Sequence, residues 1–432
     1  MREMKDSGVP WLKEIPVSWK VERGKNVLVL QKRPVRENDE VVTCFRDGEV
    51  ILRSLRRTEG FTMSDKEIGY QGINEGDIVI HGMDGFAGAM GVSKSTGKGS
   101  PVLIVCTPKY DAIPQYIIYY LRALAMTDVF VALATGIRER SCDLRWNKVS
   151  ELEFIMPSSS EQQKIVEFLD RKCAEVDEMI GLQEQIIEEL KAYKQSVITE
   201  AVTKGLNPNA PMRDSGIEWI GQIPEHWETH PFKAFYKTTK GLNITKENLV
   251  ESGKPVISYG QIHSKLNSGV RVDEALIRFV PEEYLTTNPE CLSKQHDLFF
   301  ADTSEDREGA GNVVYIDIDT PIFAGYHTII ARPSEKVKSK YFAYLIQTDA
   351  WRCQLRSRVS GVKVFSISQK FINQTSVIIP PISEQQAIAD YLDEKCADID
   401  SLIQTKQSKI DSLKEYKKSI IYEYVTGKRE VE

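Results

Sequence analysis

The loop residues of this sequence that could do chemistry are mostly basic, and the chemistry they suit is contact with nucleic acid. Arginine can bind guanine and glutamine can bind adenine through paired hydrogen bonds, each giving about 1–3 kcal/mol of discrimination. The candidate DNA-binding residues are Arg53, Arg56, Arg57, Lys94, Lys98, Arg138, Arg140, Arg145, Arg352, Arg356, Arg358, Lys363 and Gln369, with Lys336, Lys338 and Lys340 as further candidates. A single arginine is better explained as a solubility charge or an ion-pair partner, so the prediction depends on clusters.

Enzyme motifs do not accompany these residues. The sequence contains no GxxxxGK[ST] phosphate loop, and "STGKGS" at 95–100 has the wrong spacing. The six histidines form no HExxH pair, and prolines flank His226 and His230, which denies them a helix. No Asn/Asp-Pro-Pro-aromatic motif of an amino-methyltransferase is present either. We therefore predict a chain that is not an enzyme, with no catalytic residues, no metal site and no cofactor of its own.

Charge and composition set further limits. The net charge is −6, but residues 20–155 carry +1 and residues 228–378 carry +2, whereas 160–204 carry −4 and 383–428 carry −2. This distribution permits nucleic-acid binding by the first two regions without establishing it. Seven cysteines with no CxxC pair argue against disulfides and zinc. The absence of a long apolar run or a signal peptide predicts a cytoplasmic protein without a membrane partner.

Two internal repeats organise the chain. "SEQQKIVEFLDRKCAEVDEMI" at 160–180 returns as "SEQQAIADYLDEKCADIDSLI" at 383–403, identical at 12 of 21 positions and 223 residues apart. "MKDSGVPWLKEIPVSW" at 4–19 returns as "MRDSGIEWIGQIPEHW" at 212–227, 208 residues apart, with tryptophans that we expect to be packing anchors. The text between the repeats differs and is 15 residues longer in the second half. One fold used twice, with different surfaces, explains this pattern.

The longer repeat predicts two long helices. Each copy follows proline, ends near Gly205 or Gly427, and holds ~44 residues without proline, which at ~1.5 Å per residue makes about 65 Å. The SEQQ starts at 160–163 and 383–386 match a capping box, in which Ser and Gln bond each other's backbone N–H.

Apolar residues in these helices recur at steps of three and four, which is typical of a coiled-coil seam. Polar Gln183 and Lys406 interrupt the seam near its middle and could set its register. The predicted helix–helix seam consists of Ile165, Leu169, Cys173, Val176, Ile180, Ile187, Leu190, Tyr193 and Val197 in the first helix, and Ile388, Leu392, Cys396, Ile399, Ile403, Ile410, Leu413, Tyr416 and Ile420 in the second. Two such helices in one chain most simply pair antiparallel.

The regions between the helices have mixed α/β patterns. "GDIVI" at 76–80 and "HDLFFAD" at 296–302 each predict a strand before a glycine-rich turn, and His296 stands where the first copy has glycine, so we expect a different turn there. Helices are predicted at 114–127 and 340–357, each followed by a basic loop.

The predicted fold is therefore mixed α/β: two globular domains joined by two long antiparallel coiled-coil helices, with a pseudo-twofold internal repeat. The spacing from the second helix across the termini to the first repeat is almost the natural one, so the organisation is near-circular, with the ends close together. The predicted segments are a first domain at 1–156, a spacer helix at 157–210, a second domain at 211–379 and a spacer helix at 380–432.

The order of these motifs, each present twice, resembles the DNA-specificity subunit of type I restriction-modification systems. The elements that carry it are "SGxxWxxxIPxxW", the strand with its glycine-rich loop, and proline followed by SEQQ and Leu-Asp (Leu169-Asp170 and Leu392-Asp393). The resemblance covers essentially the whole chain. It implies that the two domains are target recognition domains and that the helices bind modification subunits.

As a function, the resemblance implies that each domain reads one half of an asymmetric bipartite site in double-stranded DNA while the helices set the gap. The implied partners are two modification (methyltransferase) subunits, which use S-adenosylmethionine, and restriction (translocase and endonuclease) subunits, which use ATP and Mg²⁺. An alternative is a coiled-coil scaffold that presents two protein-binding domains without DNA. A third interpretation, an enzyme in its own right, lacks a motif to support it. Steep salt dependence of DNA binding separates the first two hypotheses.

Overall fold

The computed structural model describes most of the chain. Its described residues are 2–56, 68–127, 129–130, 144–359 and 364–431.

The chain divides into two compact units. Unit 1 consists of Met1–Glu184 together with Gln407–Glu432, and unit 2 is Gln185–Lys406. Each unit holds one of the predicted recognition domains and part of each long helix. The segment boundaries predicted from the sequence stay predictions.

Ten α-helices lie wholly within the described residues, and two of them are far longer than the rest. The helices are α1 (Gly24–Val27), α2 (Pro114–Met126), α3 (Trp146–Glu151), α4 (Ser159–Lys204), α5 (Tyr259–Ile262), α6 (Tyr284–Thr287), α7 (Ser339–Gln347), α8 (Asp349–Arg356), α9 (Gln369–Asn373) and α10 (Ile382–Val425).

The strands are short, and most form two- to four-stranded antiparallel sheets. In unit 1 they are β1 (Met4–Val9), β2 (Leu12–Pro16), β3 (Lys20–Arg23), β4 (Leu28–Leu30), β5 (Val42–Cys44), β6 (Val50–Leu52), β7 (Gln71–Ile73), β8 (Ile78–His81), β9 (Met90–Val92), β10 (Gly97–Gly99), β11 (Leu103–Pro108) and β12 (Glu153–Met156). In unit 2 they are β13 (Met212–Asp214), β14 (Gln222–Pro224), β15 (Glu228–Pro231), β16 (Tyr236–Lys240), β17 (Lys254–Ile257), β18 (Arg278–Val280), β19 (Leu298–Ala301), β20 (Thr303–Ser304), β21 (Val313–Tyr315), β22 (Phe323–Ala324), β23 (Thr328–Pro333), β24 (Phe365–Ser366) and β25 (Ser376–Ile379).

The same central sheet occurs in both units. In unit 1 its strand order is β4-β11-β8-β9, and in unit 2 it is β16-β23-β19-β21, with every neighbouring pair antiparallel. The helix that follows the second strand of that order, α2 or α7, packs its apolar residues into the main core of its unit. The mixed α/β class predicted from the sequence is confirmed.

The two units differ beside this sheet. Unit 1 adds the β5–β6 hairpin and the β7–β10 pair, whereas unit 2 adds the three-stranded sheet β18-β17-β22, in which β17 and β22 run parallel. Unit 2 has two further apolar clusters here, which include Ile257 and Val256. The longer second half of the sequence is used for this additional sheet.

The long helices form because each holds more than forty residues without proline and ends at a glycine. Helix α4 has 46 residues and α10 has 44, and the glycines that follow, Gly205 and Gly427, adopt the left-handed backbone that ends a helix, with φ of 75° and 72°. The predicted capping box is wrong. The helices begin at Ser159 and Ile382, before the SEQQ serines, and Ser158 Oγ accepts the N–H of Glu161 at 3.3 Å.

The predicted seam residues are buried or half-buried at all but two positions. Tyr193 and Tyr416 are the exceptions, at 59% and 48% exposed, so the seam prediction is wrong there. Steps of three and four average about 3.5 residues, whereas a straight α-helix has about 3.6 residues per turn. Positions chosen by these steps therefore drift around the helix, and some of them reach solvent.

Ion pairs join the two long helices within each unit. In unit 1 Lys417 Nζ lies 2.6 Å from Asp177 Oδ2, and in unit 2 Lys194 Nζ lies 2.7 Å from Asp400 Oδ1. Each of these four residues has its counterpart 223 residues away, so the two ion pairs are equivalent with the roles of the helices exchanged.

The short N-terminal repeat is a hairpin that packs against the end of a long helix. Trp19 and Trp227 are buried, at 0% and 1% exposed, and a side chain at Gly427 or Gly205 would meet the ring of its neighbouring tryptophan. The packing role predicted for these two is confirmed. Trp219 is 46% exposed, so the same prediction is wrong for it.

Candidate nucleic-acid interface

The equivalent sheets end at equivalent places, and these ends bring loops together. In unit 1 the residue after β8, Gly82, accepts a backbone hydrogen bond from Leu144 at 2.9 Å, and in unit 2 the residue after β19, Asp302, accepts one from Ile367 at 2.7 Å. We call this region of each unit its sheet end. In unit 1 the segments that meet there follow β4 and β8 and precede β11 and α3. In unit 2 they follow β16 and β19 and precede β23 and α9.

The sheet end of unit 1 is a cleft of about 710 Å³. Its lining includes the basic residues Lys32, Arg33 and Arg145 and the aromatic residues Tyr70 and Trp146. Lys32 and Arg145 are exposed. Cations beside aromatic rings are the combination that binds phosphate and stacks on bases.

The sheet end of unit 2 carries aromatic and imidazole rings. Tyr326 and His327 occupy the turn between β22 and β23, and their ring centroids lie 5.5 and 5.4 Å from that of Tyr259. His327 is exposed, and its Nδ1 lies 3.1 Å from Asp302 Oδ1. The same place in the fold therefore presents different chemistry in the two units.

His263 lies beside this ring cluster and holds the neighbouring loop. Its Nε2 lies 2.7 Å from the carbonyl oxygen of Thr303, and its Nδ1 lies 2.9 Å from Asn312 Nδ2. A carbonyl only accepts, so Nε2 carries the proton and Nδ1 accepts from the asparagine amide. This ring is committed to internal hydrogen bonds.

A buried aspartate anchors the turn before the third strand of each sheet. Asp77 and Asp297 are 3% and 0% exposed, and each accepts a backbone N–H three residues earlier, at 2.7 and 2.8 Å. Each also pairs with an arginine: Asp77 with Arg33, and Asp297 with Arg332 at 2.9 Å. These arginines are structural partners of a buried carboxylate.

The turn itself is the same in both units, so the prediction of a different turn at His296 is wrong. Gly76 has φ of 85° and His296 has φ of 76°, and each donates its backbone N–H at 2.8 Å, to Ser93 and Ile316. The His296 ring stacks on Tyr315, with its Nδ1 2.6 Å from the phenol oxygen. These contacts hold a side chain in a backbone region that favours glycine.

Several of the predicted basic residues in unit 1 form one cluster beside the β5–β6 hairpin. Arg56 contacts Asp47 and lies 3.0 Å from Glu49, whose other oxygen accepts Lys94 Nζ at 2.9 Å. Arg53 donates through Nε to a threonine hydroxyl at 3.1 Å. The Arg56 bond lowers the pKa of Asp47, so its carboxylate stays ionised. Phosphate contact by Arg56 or Lys94 would compete with these carboxylates.

The other predicted residues of unit 1 lie elsewhere. Lys98 is half-buried on β10, opposite Gly72 of β7, and Arg145 lines the cleft. Arg57, Arg138 and Arg140 lie outside the described residues.

In unit 2, one of the predicted arginines, Arg356, holds the loop between β20 and β21. Arg356 donates through Nη2 to the carbonyl of Glu308 at 2.9 Å and pairs through Nη1 with Asp349 at 2.7 Å. Arg307 in turn donates through Nε and Nη2 to the Arg356 carbonyl at 2.9 and 2.8 Å. Arg352 donates through Nε to a helix carbonyl at 3.2 Å, and burial lowers its pKa to about 10, which leaves it charged at neutral pH.

The remaining predicted residues of unit 2 are more open. Arg358 is exposed, and Gln369 is half-buried at the start of α9. Lys336 and Lys338 are exposed, and Lys340 pairs with Asp393 at 2.6 Å. Lys363 lies outside the described residues. Base contact by any of these residues stays a prediction.

The first glutamine of each SEQQ segment joins its long helix to the recognition domain. Gln162 is 2% exposed, accepts the Ile113 N–H through Oε1 at 2.9 Å and donates to Pro157 at 3.1 Å. Gln385 is 1% exposed and makes the same two bonds, accepting the Lys338 N–H at 2.9 Å and donating at 2.8 Å to the proline carbonyl before its own helix. A buried amide with both ends bonded is a specific positional constraint.

Other kinds of site find little support in the part of the chain that the structure describes. No cluster of His, Cys, Asp or Glu there could hold a metal ion, and no helix there is long and apolar enough to cross a membrane. Burial raises the pKa of the Cys44 and Cys106 thiols to about 12, so neither is a reactive thiolate at neutral pH.

Sequence reasoning missed Lys32 and Lys240 together with the ring residues of unit 2. The two lysines are 208 residues apart, the offset of the short repeat, and each stands at the exposed end of the first strand of its sheet. That shared offset was the available signal. Tyr326 and His327 carried none, because long-range strand pairing brings their turn to the sheet end.

Comparison with known proteins gives a consistent family. Residues 224–425 match the family model described as type I restriction modification DNA specificity domain. The MjaVIII type I restriction enzyme specificity subunit of Methanocaldococcus jannaschii is 23% identical over 427 residues, which cover 96% of this chain and 93% of that subunit.

Solved structures share the fold of this chain. A chain from a study of complex assembly and conformational transition of the type I R-M system superposes with a TM-score of 0.72 at 14% identity, covering 96% of this chain and 99% of that one. The HsdS subunit from Thermoanaerobacter tengcongensis gives a TM-score of 0.52 at 14% identity, with 96% and 98% covered. At these identities the likeness establishes the shared fold alone.

Proposed function

We propose that this chain is a DNA specificity subunit of a type I restriction-modification system, because residues 224–425 match the specificity-domain model and a specificity subunit 23% identical to it is covered over 93% of its length. The resemblance recognised in the SEQQ segments and their flanking motifs is thereby confirmed. In this role the chain selects the DNA sequence on which a restriction-modification complex acts.

The observation that carries the proposal is the duplicated sheet with unlike ends. The family match covers the second half, and the first half repeats its strand order, its anchored aspartate turn and its glutamine link to a long helix. Each unit would read one half of a bipartite site in double-stranded DNA. Because the exposed residues at the two sheet ends differ, the two half-sites would differ, and the target would be asymmetric.

The long helices would set the distance between the half-sites. We propose that α4 and α10 pair antiparallel along their length as a coiled coil. The two equivalent ion pairs, Asp177 with Lys417 and Lys194 with Asp400, would fix the register of that coiled coil. Sites read from one face of DNA lie about one helical turn, roughly 34–36 Å, apart. Helices of 46 and 44 residues, about 65 Å at ~1.5 Å per residue, exceed that distance.

The chemistry would come from partners in the cytoplasm. Two modification subunits would dock on the helices and methylate adenine with S-adenosylmethionine, and restriction subunits would use ATP and Mg²⁺ for translocation and cleavage. The chain itself would bind none of these cofactors and catalyse no step.

Methylation sequencing tests the proposal directly. The chain is co-expressed with its candidate modification subunit in a host that lacks other methyltransferases, and methylated adenines are mapped across the genome. We expect one asymmetric motif of two short halves with an unspecified gap. Exchange of residues 20–155 for another recognition domain should change one half only.

The scaffold alternative predicts a different result. A scaffold without DNA contact would leave the genome unmethylated at any bipartite motif, and the complex would show no salt-sensitive DNA affinity. A single continuous motif, or movement of both halves after the exchange, would also contradict independent reading by two units.

A further inference from the structure

We infer that Lys32 and Lys240 are equivalent phosphate anchors and that the different side chains beside them read the two half-sites. The inference rests on the proposed function and names which residues carry it. Arg145 is the base-reading residue assigned to unit 1, and Tyr326 and His327 are those assigned to unit 2.

The equivalence of the two lysines follows from strand pairing. Lys32 lies two residues beyond the end of β4, and the preceding residue, Gln31, donates its N–H to Val105 of β11 at 2.8 Å. Lys240 ends β16 and pairs with Ile329 of β23. Both lysines therefore lie beside the equivalent position of the second strand, at the end of the first strand of the sheet order.

Their environment favours an external anion. Both lysines are exposed, and neither takes part in an ion pair or a side-chain hydrogen bond with the residues that the structure describes. The nearby arginines differ, because Arg33 and Arg332 are held by the buried carboxylates of Asp77 and Asp297. A lysine without a competing carboxylate releases a counterion when it binds a phosphate, and phosphate contacts of this kind position a protein without reading sequence.

The residues beside the lysines are different in kind. Leu144 of unit 1 and Ile367 of unit 2 make the equivalent hydrogen bond to the sheet end, and the next residue is exposed Arg145 in unit 1 but Ser368 in unit 2. Ser368 Oγ accepts the Phe371 N–H at 3.3 Å and so caps α9. The arginine position of unit 1 has no cationic counterpart in unit 2.

At the turn that leads into the second strand of the sheet order, unit 2 rather than unit 1 has the side chains that could contact a base. Unit 1 has Pro101 and Val102 there, whereas unit 2 has Tyr326 and His327. His327 adopts a left-handed backbone with φ of 54°, a region that is unfavourable for a residue with a side chain, and its ring lies on an exposed turn. Strained backbone of this kind is concentrated at binding sites.

The two sets of side chains suit different bases. A guanidinium binds the paired acceptors of guanine in the major groove. A tyrosine ring offers a stacking face, and an imidazole offers one donor or acceptor edge. With equivalent phosphate anchors, each unit would hold its own half-site in the same way. With different base-reading residues, the two half-sites would differ in sequence.

The test uses the full chain in complex with its modification subunits and a pool of short DNA duplexes randomised at their centre. Binding is measured across a range of KCl concentrations, and bound duplexes are sequenced. We expect Lys32→Ala and Lys240→Ala each to lower the salt slope by about 0.9 while the selected motif stays unchanged. We expect Arg145→Ala to relax one half of the motif and Tyr326→Ala with His327→Ala to relax the other.

Lys233→Ala is the matched control, because Lys233 is an exposed lysine on the same segment, before β16 rather than at its end. Lysine variants that behave like this control, or reader variants that leave the selected motif intact, would overturn the inference while the unaltered complex still selects a bipartite motif. Failure of the unaltered complex to select any motif would instead count against the proposed function. Thermal melting of each variant shows that its fold is retained.

Discussion

The two units keep the same buried contacts and differ where they meet solvent. In unit 1 the Tyr116 hydroxyl donates to the Val425 carbonyl at 3.2 Å, and in unit 2 the Tyr341 hydroxyl donates to the Val202 carbonyl at 3.0 Å. Both bonds tie a recognition domain to the end of a long helix. The sheet ends, by contrast, share a lysine and little else. The two halves of the repeat share what holds each domain to its helices and differ in the exposed residues that we propose contact the target.

The glutamine links show why the buried contacts are retained. A buried amide without partners would leave a donor and an acceptor unsatisfied, at a cost of about 1–3 kcal/mol, so Gln162 and Gln385 are constrained by several segments at once. The Arg145 and His327 side chains are exposed instead, so water can satisfy polar atoms that a substitution leaves without a partner. The comparison therefore separates buried contacts that both units share from exposed side chains that differ, which are the ones we propose read DNA.

The largest effect that could break the comparison is removal of an anchoring tryptophan. Trp19 and Trp227 are equally buried, and each Nε1 donates to a glutamate of the adjacent long helix, Glu161 at 2.9 Å and Glu384 at 3.0 Å. We expect Trp19→Ala and Trp227→Ala each to cost about 3–5 kcal/mol of unfolding free energy, confined to its own unit. Hydrogen exchange read by mass spectrometry, peptide by peptide, measures each unit separately.

Trp219→Ala is the control for that experiment, because Trp219 is exposed and should cost less than about 0.5 kcal/mol. Equal losses in both units after a single anchor substitution would show that the units do not respond independently, and a cost near that of the control would show that the anchor does not bear on stability.

A smaller effect sharpens the comparison at the aspartate turns. No atom lies within 4 Å of a side chain built at Gly76, so Gly76→Ala should cost only the backbone penalty, about 1–2 kcal/mol in unit 1. In unit 2, His296→Ala keeps that penalty and loses the Tyr315 contact, whereas His296→Gly removes the penalty as well. We therefore expect His296→Gly to be about 1 kcal/mol more stable than His296→Ala in denaturant unfolding. Equal stability of these two variants would contradict a strained turn.

The sequence predicted the parts of the fold that depend on local pattern. Steps of three and four, with proline before and glycine after, predicted helices near Ser159–Lys204 and Ile382–Val425 to within a few residues. Helix starts were predicted less well: the helices begin before Ser160 and Ser383, and the expected capping glutamines donate to acidic residues one turn further on. The glutamines that long-range bonds bury are their neighbours Gln162 and Gln385. Local signals do not reveal which side chain a distant segment will bury.

The candidate interface was harder to predict for the same reason. Basic loop residues were visible as a class, but the sequence does not show that Asp47 and Glu49 lie against Arg56, or that Arg356 binds a loop carbonyl. Lys32 and Lys240 become notable only when strand pairing sets them at the same level of two sheets. Charge type was readable from the sequence, whereas charge neutralisation was not.

The smallest expected effect is a difference between the units in how their stability falls at low pH, and one histidine of unit 1 causes it. His81 is the last residue of β8, whereas Ala301 is the last residue of β19. Burial is the main cause that lowers the pKa of His81 below 6.5, Arg46 lowers it further, and Asp84 opposes them. His81 Nδ1 accepts the Asp84 N–H at 3.0 Å, which requires the neutral ring. The unfolded chain therefore binds a proton more readily, so this contribution to stability is present above pH 6.5 and falls as the pH drops below it.

We expect unit 1 to lose more protection against hydrogen exchange than unit 2 between pH 7.5 and 5.5, after correction for intrinsic exchange rates, and His81→Gln to reduce that difference. An unchanged difference in the variant would show that other groups cause it.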